Sequence, residues 1–558
     1  MPKIRYERFS TKHHYGSELM LQPENQSKKY EALFADIDSG KMKIPLFQRD
    51  FVWTKEQTAN LIDSIIKGFP IGTFILWKTN EEMRAVRDIG NVRLPEIPKG
   101  DSASYVLDGQ QRITSLYAVR KGVVFKKEGQ EIDYNQITIN LSMDPDADEQ
   151  VVGTEPPDGE PHIPVHRLLT GTITEFATNY APYLELIDTY RSRLTGYNFS
   201  VIVIPEYPID VACEIFTRIN TGGTELTLFE IMVAKTYDNE RGFDLAERYQ
   251  HLIDNNGKSK DLEDADFDTI PASTVLQCVS ACLSKQIRRK DILKLNKEDF
   301  IQAWPEVTDS IFAAVDFIRT ALRIPVSQLL PYNALLVLFT YFFYQNHGQP
   351  PTHIQSDLLV QFFWWASLSG RYSAGADTKV GQDLLRIDRI LNEEQPSYRG
   401  EEVQLTMDQL RYKWFSTGDA FCKAILCLYA YHSPRSFNND NPVKIDNSWL
   451  RTSISKNYHH FFPRAYLRNQ GVPDWQANSI LNITIVDDHL NKRAIRAKPP
   501  KEYMRSFKKT NRKLADTMAT HLIDDLDEFG VWENDYERFL ELRGQRVIEE
   551  LNKRLNPE

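Results

Sequence analysis

The chain has 558 residues, 41% of them hydrophobic and 26% charged, which is enough apolar material for about three globular domains. A formal net charge of −10 argues mildly against nucleic-acid binding over the whole surface. The opening MPKIRYERFSTKHH lacks the apolar segment of a secretion signal, and the longest apolar run, Ala334–Phe343, is too short for a bilayer span of about 20 residues; together with five cysteines and no CxxC pair, this points to a cytoplasmic protein with no membrane partner.

Taken in order, residues 1–40 read as a helical lead-in and Ile44–Trp53 as a short aromatic turn. Leu61, Ile62, Ile65 and Ile66 give Glu56–Lys67 helical spacing, closed by Gly68. Ile71–Trp77 is strand-like, as are Tyr105–Leu107, Ile137–Leu141 and Phe199–Pro205. Asp108-Gly109-Gln110-Gln111-Arg112 falls at a strand-to-helix junction. The Asp/Glu/Gly/Pro-rich stretch 145–165 predicts an exposed acidic loop. A helix around Val211–Arg218 runs into the turn Asn220-Thr221-Gly222-Gly223.

Helical periodicity dominates from 237 to 435, with Tyr332–Gln345 and Ile354–Ser367 strongly apolar. Cys278/Cys282 and Cys422/Cys427 read as buried thiols on helices, and Phe362-Phe363-Trp364-Trp365 as core. Past 440 come the pair His459-His460, a strand-like Ile480–Val486, a basic helix opening near Asp488 and charged helices over 512–558. Residues 451–513 carry 14 Lys/Arg against 4 Asp/Glu, a local reversal of sign suited either to phosphate binding or to a solvated face.

Two strings carry chemistry. Hydrolysis of a phosphodiester needs a base to activate water and a cation to neutralise the phosphate. Histidine suits the base, and imidazole or amide oxygen the ligand. Here His459-His460-Phe461-Phe462-Pro463 is followed nineteen residues past Pro463 by Asn482 and nine further on by Asn491. DGQQR places a carboxylate, two amides and a guanidinium at a helix N-terminus. That is either an anion site or a helix start tied by an Arg112 salt bridge. No Walker A string occurs.

The first string resembles the HNH nuclease motif. By that resemblance His460 is the general base, Asn482 braces the loop, and His459 and Asn491 hold a divalent metal, with Asp488 and His489 as alternative ligands. His459 stands where the family commonly has an acidic residue, which widens the metal from Mg²⁺ or Mn²⁺ to Ni²⁺ or Zn²⁺. Lys492, Arg493 and Arg496 would meet DNA phosphates.

FQRDFVW, PIGTFILW, DGQQR and FTRINTGGTEL, in that order, resemble the N-terminal domain of GmrSD-type modification-dependent restriction enzymes, although Asp50 stands where that family often has Pro. The resemblance implies a ParB/sulfiredoxin-like fold that binds and hydrolyses a nucleoside triphosphate, GTP or another. Its contacts would be Gln48, Arg49, Asp108, Gly109, Gln110, Gln111, Arg112, Arg218, Asn220 and Gly223.

The expected fold class is α+β multidomain: a ParB/sulfiredoxin-like α/β domain (1–236), a helical middle (237–435) and a C-terminal ββα-metal (HNH) nuclease domain with a helical tail (436–558). The expected function is a phage-defence endonuclease acting on modified double-stranded DNA, gated by NTP hydrolysis. One HNH site per chain implies either two nicks or a homodimer. The alternatives are a phosphorothioate-sensing nicking enzyme of the same architecture and a nucleotide-regulated DNA-binding protein that does not cut.

Overall fold

The computed structural model describes residues 22–45, 51–80, 94–95, 101–127, 130–219, 226–254, 257, 260–447, 458–486, 495 and 497–556. The chain divides into two compact units, Met1–Gly242 and Phe243–Glu558.

The first unit is built on a mixed five-stranded sheet. Its strands are β1 (Glu24–Lys29), β2 (Met42–Lys43), β3 (Phe74–Thr79), β4 (Ala103–Asp108) and, after five short intervening strands, β10 (Asn198–Ile204), in the spatial order β1-β10-β3-β4-β2. β3 pairs parallel with β10 and antiparallel with β4. The inner strands are aromatic and β-branched, and they bury Phe74, Leu76, Trp77, Tyr105, Val106 and Val201. The helices Tyr30–Asp38, Lys55–Ile66 and Gln110–Lys121 place Phe34, Ile62, Ile65, Ile113 and Tyr117 in the same core. A capping box fixes the start of the second: Thr54 accepts from the Gln57 amide, and Gln57 returns the bond.

Two expectations change here. Within the described part of residues 1–40, expected as a helical lead-in, the helix starts at Tyr30 and ENQSKK forms the edge strand β1. That strand is almost wholly polar and exposed, and it is held by its backbone ladder instead of by burial. The acidic stretch 145–165 is not all loop. β8 (Val152–Gly153) and β9 (His162–Pro164) flank β7 (Thr138–Asn140) in a small antiparallel sheet, with Val151, Val152 and Ile163 buried. β5 (Val124–Lys127) and β6 (Gln130–Asp133) make a separate hairpin.

The second unit is helical, with one short hairpin, β11 (Tyr458–His460) against β12 (Ile483–Ile485). Its long helices include Lys297–Thr320, Ala334–Gln345, His353–Leu368, Ala376–Leu391, Ala420–Tyr431 and Tyr536–Leu555. Phe362, Phe363, Trp364 and Trp365 are all buried, and all five cysteines are free and buried. The residues on either side of the boundary expected at 435/436 fall in the same compact unit. Tyr429 Oη donates to the Ile480 carbonyl (3.3 Å), Gln361 Nε2 donates to the Leu555 carbonyl (2.7 Å), and Arg554 lies over the Trp364 ring. The terminal helix, 20 residues long, buries side chains along its whole length, far more than the three-residue strands of the hairpin can cover, so it also packs on the helices His353–Leu368 and Met407–Arg411.

The run Arg371-Tyr372-Ser373 is a structural clasp. Arg371 and Arg386 both grip the wholly buried Asp383 and Glu401, Tyr372 Oη donates to Asp383 (2.6 Å), and Trp365 lies beneath both guanidinium groups. No described helix is long and apolar enough to cross a membrane.

Candidate functional site

At the DGQQR junction, β4 ends on Asp108. Gly109 turns the chain at φ +91°, and the helix begins at Gln110. Arg112 folds back across the turn. Its Nη1 donates to the Ile71 carbonyl (2.7 Å), and Nη2 donates to the Thr73 carbonyl (3.1 Å) and to Asp108 Oδ2 (3.0 Å), with the guanidinium over the Phe74 ring. Gln111 Oε1 accepts from the Val52 and Trp53 amides (2.8 and 3.3 Å). Gln110 and Gln111 are buried. In this geometry the motif welds the start of β3, the end of β4 and the segment before Lys55 into one corner.

Of the other nucleotide candidates, Arg218 is exposed and pairs with Glu214 (2.5 Å). Gln48, Arg49, Asn220 and Gly223 lie outside the described residues.

The Gly109 position tests how tightly this corner is built. A Cβ there would stand 2.3 Å from Phe74 Cδ1 on a backbone that L residues avoid. Gly109→Ala is therefore expected to destabilise the first unit by about 2–4 kcal/mol, read as a lowered midpoint in urea. A loss under about 0.5 kcal/mol would show that the corner can relax.

In the second unit, His460 pairs with Ile483 and His459 with Thr484 across the hairpin. Successive strand residues point to opposite faces. The His459 ring is 3% exposed and lies among Phe437 and Tyr503. His460 is partly buried, and its Nε2 is 2.8 Å from Asn478 Oδ1. The Asn478 amide is oriented by its own bond to the Phe415 carbonyl (3.1 Å). Its oxygen thus faces the imidazole, Nε2 carries the proton, and the lone pair lies on Nδ1.

Asn482 is completely buried. Its Oδ1 accepts from the Phe462 amide (2.8 Å), and its Nδ2 donates to the carbonyls of Phe462 and Ala477 (both 2.9 Å). Its backbone carbonyl accepts from Phe461 N (2.8 Å). One residue thereby closes the bend that follows His460, which Pro463 continues into the helix Arg464–Asn469.

Three supporting residues escaped the sequence reading. Asn478 orients His460. Tyr503 Oη donates to the Phe461 carbonyl. Arg543, 0% exposed, donates to the carbonyls of Leu481 (2.6 Å) and His521 (3.2 Å) between the rings of Tyr429 and Phe539.

Among the described residues, no group of three or more His, Cys, Asp or Glu could hold a metal ion. Asp488, His489, Asn491, Lys492, Arg493 and Arg496 all lie outside the described residues.

Burial pushes the pKa of His460 down to about 4 and that of His521, which donates to the Arg435 carbonyl, down to about 3. Both are bases with folded pKa values below the unfolded value of about 6.5. The unfolded chain therefore takes up protons first. Stability is full above about pH 6.5 and is lost as pH falls towards 4. His521→Gln, which keeps a donor, is expected to reduce the slope of stability against pH between about 6 and 4 by up to about 1.4 kcal/mol per unit. Urea melts across that range measure it, and parallel slopes for the two proteins would refute it.

Residues 30–237 match the family described as the GmrSD restriction endonuclease, N-terminal domain. The chain is also similar to the uncharacterized protein MJ0686 of Methanocaldococcus jannaschii, at 22% identity over 582 aligned positions covering 92% of this chain and 96% of that protein. This second likeness extends through the helical unit that carries the hairpin.

Proposed function

We propose that this chain is a restriction endonuclease that hydrolyses DNA phosphodiesters at the hairpin of its second unit, with His460 as the general base. The observation that carries the reading is the Asn482 closure. A wholly buried asparagine locks the bend directly after a histidine whose tautomer is fixed by a second asparagine. That is the division of labour a water-activating imidazole needs: one partner to hold the ring and one to hold the chain. The match of residues 30–237 supplies the biological class.

His460 Nδ1 takes a proton from the attacking water while Asn478 Oδ1 holds the opposite N–H. The low pKa keeps the ring in its acceptor form near neutral pH, and the negative charge of a bound phosphate raises its basicity. A divalent cation, when bound, would neutralise charge on the phosphate. His459 lies against the Phe437 and Tyr503 rings, and the described residues do not complete a cradle. No step is therefore assigned through the ion, and His459 and Asn491, with Asp488 and His489 as alternatives, remain the residues proposed to hold it.

The proposed substrate is modified double-stranded DNA, cut in the course of defence against phage. Nucleotide hydrolysis at DGQQR rests on the resemblance alone. The geometry favours the other reading of that motif, with Arg112 committed to two carbonyls and Asp108.

The test is plasmid cleavage by the full chain with Mg²⁺, Mn²⁺ or Ni²⁺, with and without NTP, on plain, hydroxymethylated, glucosylated and phosphorothioated DNA. Cleavage of a modified substrate supports the reading. Cleavage confined to phosphorothioated plasmid would select the nicking enzyme, and none under any condition would favour a DNA-binding protein.

A further inference from the structure

The helix Pro500–Thr510 buries Pro500, Tyr503, Met504 and Phe507. At about 100° per residue, Lys501, Arg505, Lys508 and Lys509 fall within about 100° of arc on another side, and Arg512 and Lys513 follow directly. From 489 to 515 the sequence carries ten Lys/Arg and one acid, Glu502. Glu502 is drawn to Lys498 (3.6 Å).

None of the six cations from Lys501 to Lys513 has a partner at ion-pair distance among the described residues, although Lys508 lies over the Trp532 ring (5.3 Å) and Lys513 helps to lower the pKa of Asp440. This contrasts with the terminal helix of the same unit, where Glu550 alone collects Arg546, Lys553 and Arg554. Complementing the helix dipole accounts for cations in the last turn only. It does not account for Lys501 and Arg505, which line a shallow groove with Glu502, Lys509, Ser506 and Asn534.

The buried side of this helix is fastened to the candidate site, since Tyr503 Oη bonds the carbonyl of Phe461, the residue after His460. The basic side therefore lies within about one helix diameter, roughly 10 Å, of the hairpin. The helix is about 16 Å long, a length over which duplex DNA presents about nine charges.

We infer that the basic side of the helix Pro500–Thr510, continued by Arg512 and Lys513, is the phosphate-backbone contact that seats duplex DNA beside the hairpin. This rests on the nuclease reading for its biological sense but not for its test. The contact is electrostatic and indifferent to sequence, so it positions the duplex and leaves the choice of target to other surfaces.

The experiment is fluorescence anisotropy of the full chain with a labelled duplex of about 30 base pairs in EDTA, between roughly 0.05 and 0.3 M salt. It compares the parent with the variant Lys501→Ala/Arg505→Ala/Lys509→Ala/Arg512→Ala. The variant is expected to keep the parental urea midpoint. Its slope of log Kd against log salt should be shallower by about 3, and its Kd at about 0.15 M salt should rise roughly 100-fold. Should the quadruple variant not fold, Arg505→Glu/Lys509→Glu is expected to show the same direction of change.

An unchanged slope overturns the inference, as does a parent that does not bind duplex. So does tighter binding of single-stranded RNA of equal length with the same loss in the variant. If the parent binds through this face and never cuts, the inference stands and the nuclease reading falls. If the parent cuts and the variant's slope is unchanged, the reverse holds.

Discussion

A His460→Ala protein is expected to bind DNA as the parent does and to cut it about 10²- to 10⁴-fold more slowly. The substitution removes the imidazole and its bond to Asn478. Asn478 keeps its bond to the Phe415 carbonyl, and the Asn482 closure is untouched. The hairpin ladder consists of backbone bonds, so β11 and β12 stay paired. Plasmid cleavage beside a binding isotherm separates chemistry from recognition. A variant that cuts at the parental rate would remove His460 from the chemistry.

The second large effect is on stability. Asn482→Ala is expected to cost about 3–5 kcal/mol, because it strands the Phe462 N–H and two carbonyl bonds in a site that water does not reach. Asn482→Asp is expected to do no better. It restores an acceptor for Phe462 N but turns a carboxylate oxygen towards the carbonyls of Phe462 and Ala477. Urea titration of both variants measures this, and a loss below about 1 kcal/mol would mean that the bend is held by other contacts. Cleavage should fall in both variants, since the bend sets where His460 sits.

How far the sequence reveals this arrangement depends on the range of each interaction. His460 and Asn482 are legible because both sit in one short motif with its own spacing. The strands β3, β4 and β10 are legible from runs such as FILWKT and NFSVIVI, whose apolar residues are buried or half-buried. β1 is not legible, because ENQSKK has no apolar alternation and becomes a strand only by pairing with β10, far along the chain.

Arg543 looks like one more charge on the amphipathic helix Tyr536–Leu555. Only the packed structure shows its guanidinium on the Leu481 carbonyl, next to Asn482. Asn478 carries no periodic signal, and its role exists only once Phe415 and His460 have been brought to either side of it. The DGQQR string was legible as a strand-to-helix junction. Whether its arginine faces a ligand or its own backbone could not be read from spacing, since both uses need the same donor at the same place.

The terminal helix also sets an order of events in the cell. It supplies Arg543 to the Leu481 carbonyl and stacks Phe539 on Phe461 at 4.8 Å. Residues 458–486 leave the ribosome well before residues 536–555 are made, and in that interval the bend after His460 lacks both supports. A chain released early, or clipped ahead of Tyr536, would carry every residue of the motif and still not hold it in shape. The motif residues alone thus do not fix the geometry of the bend, which depends on contacts made from Phe539 and Arg543.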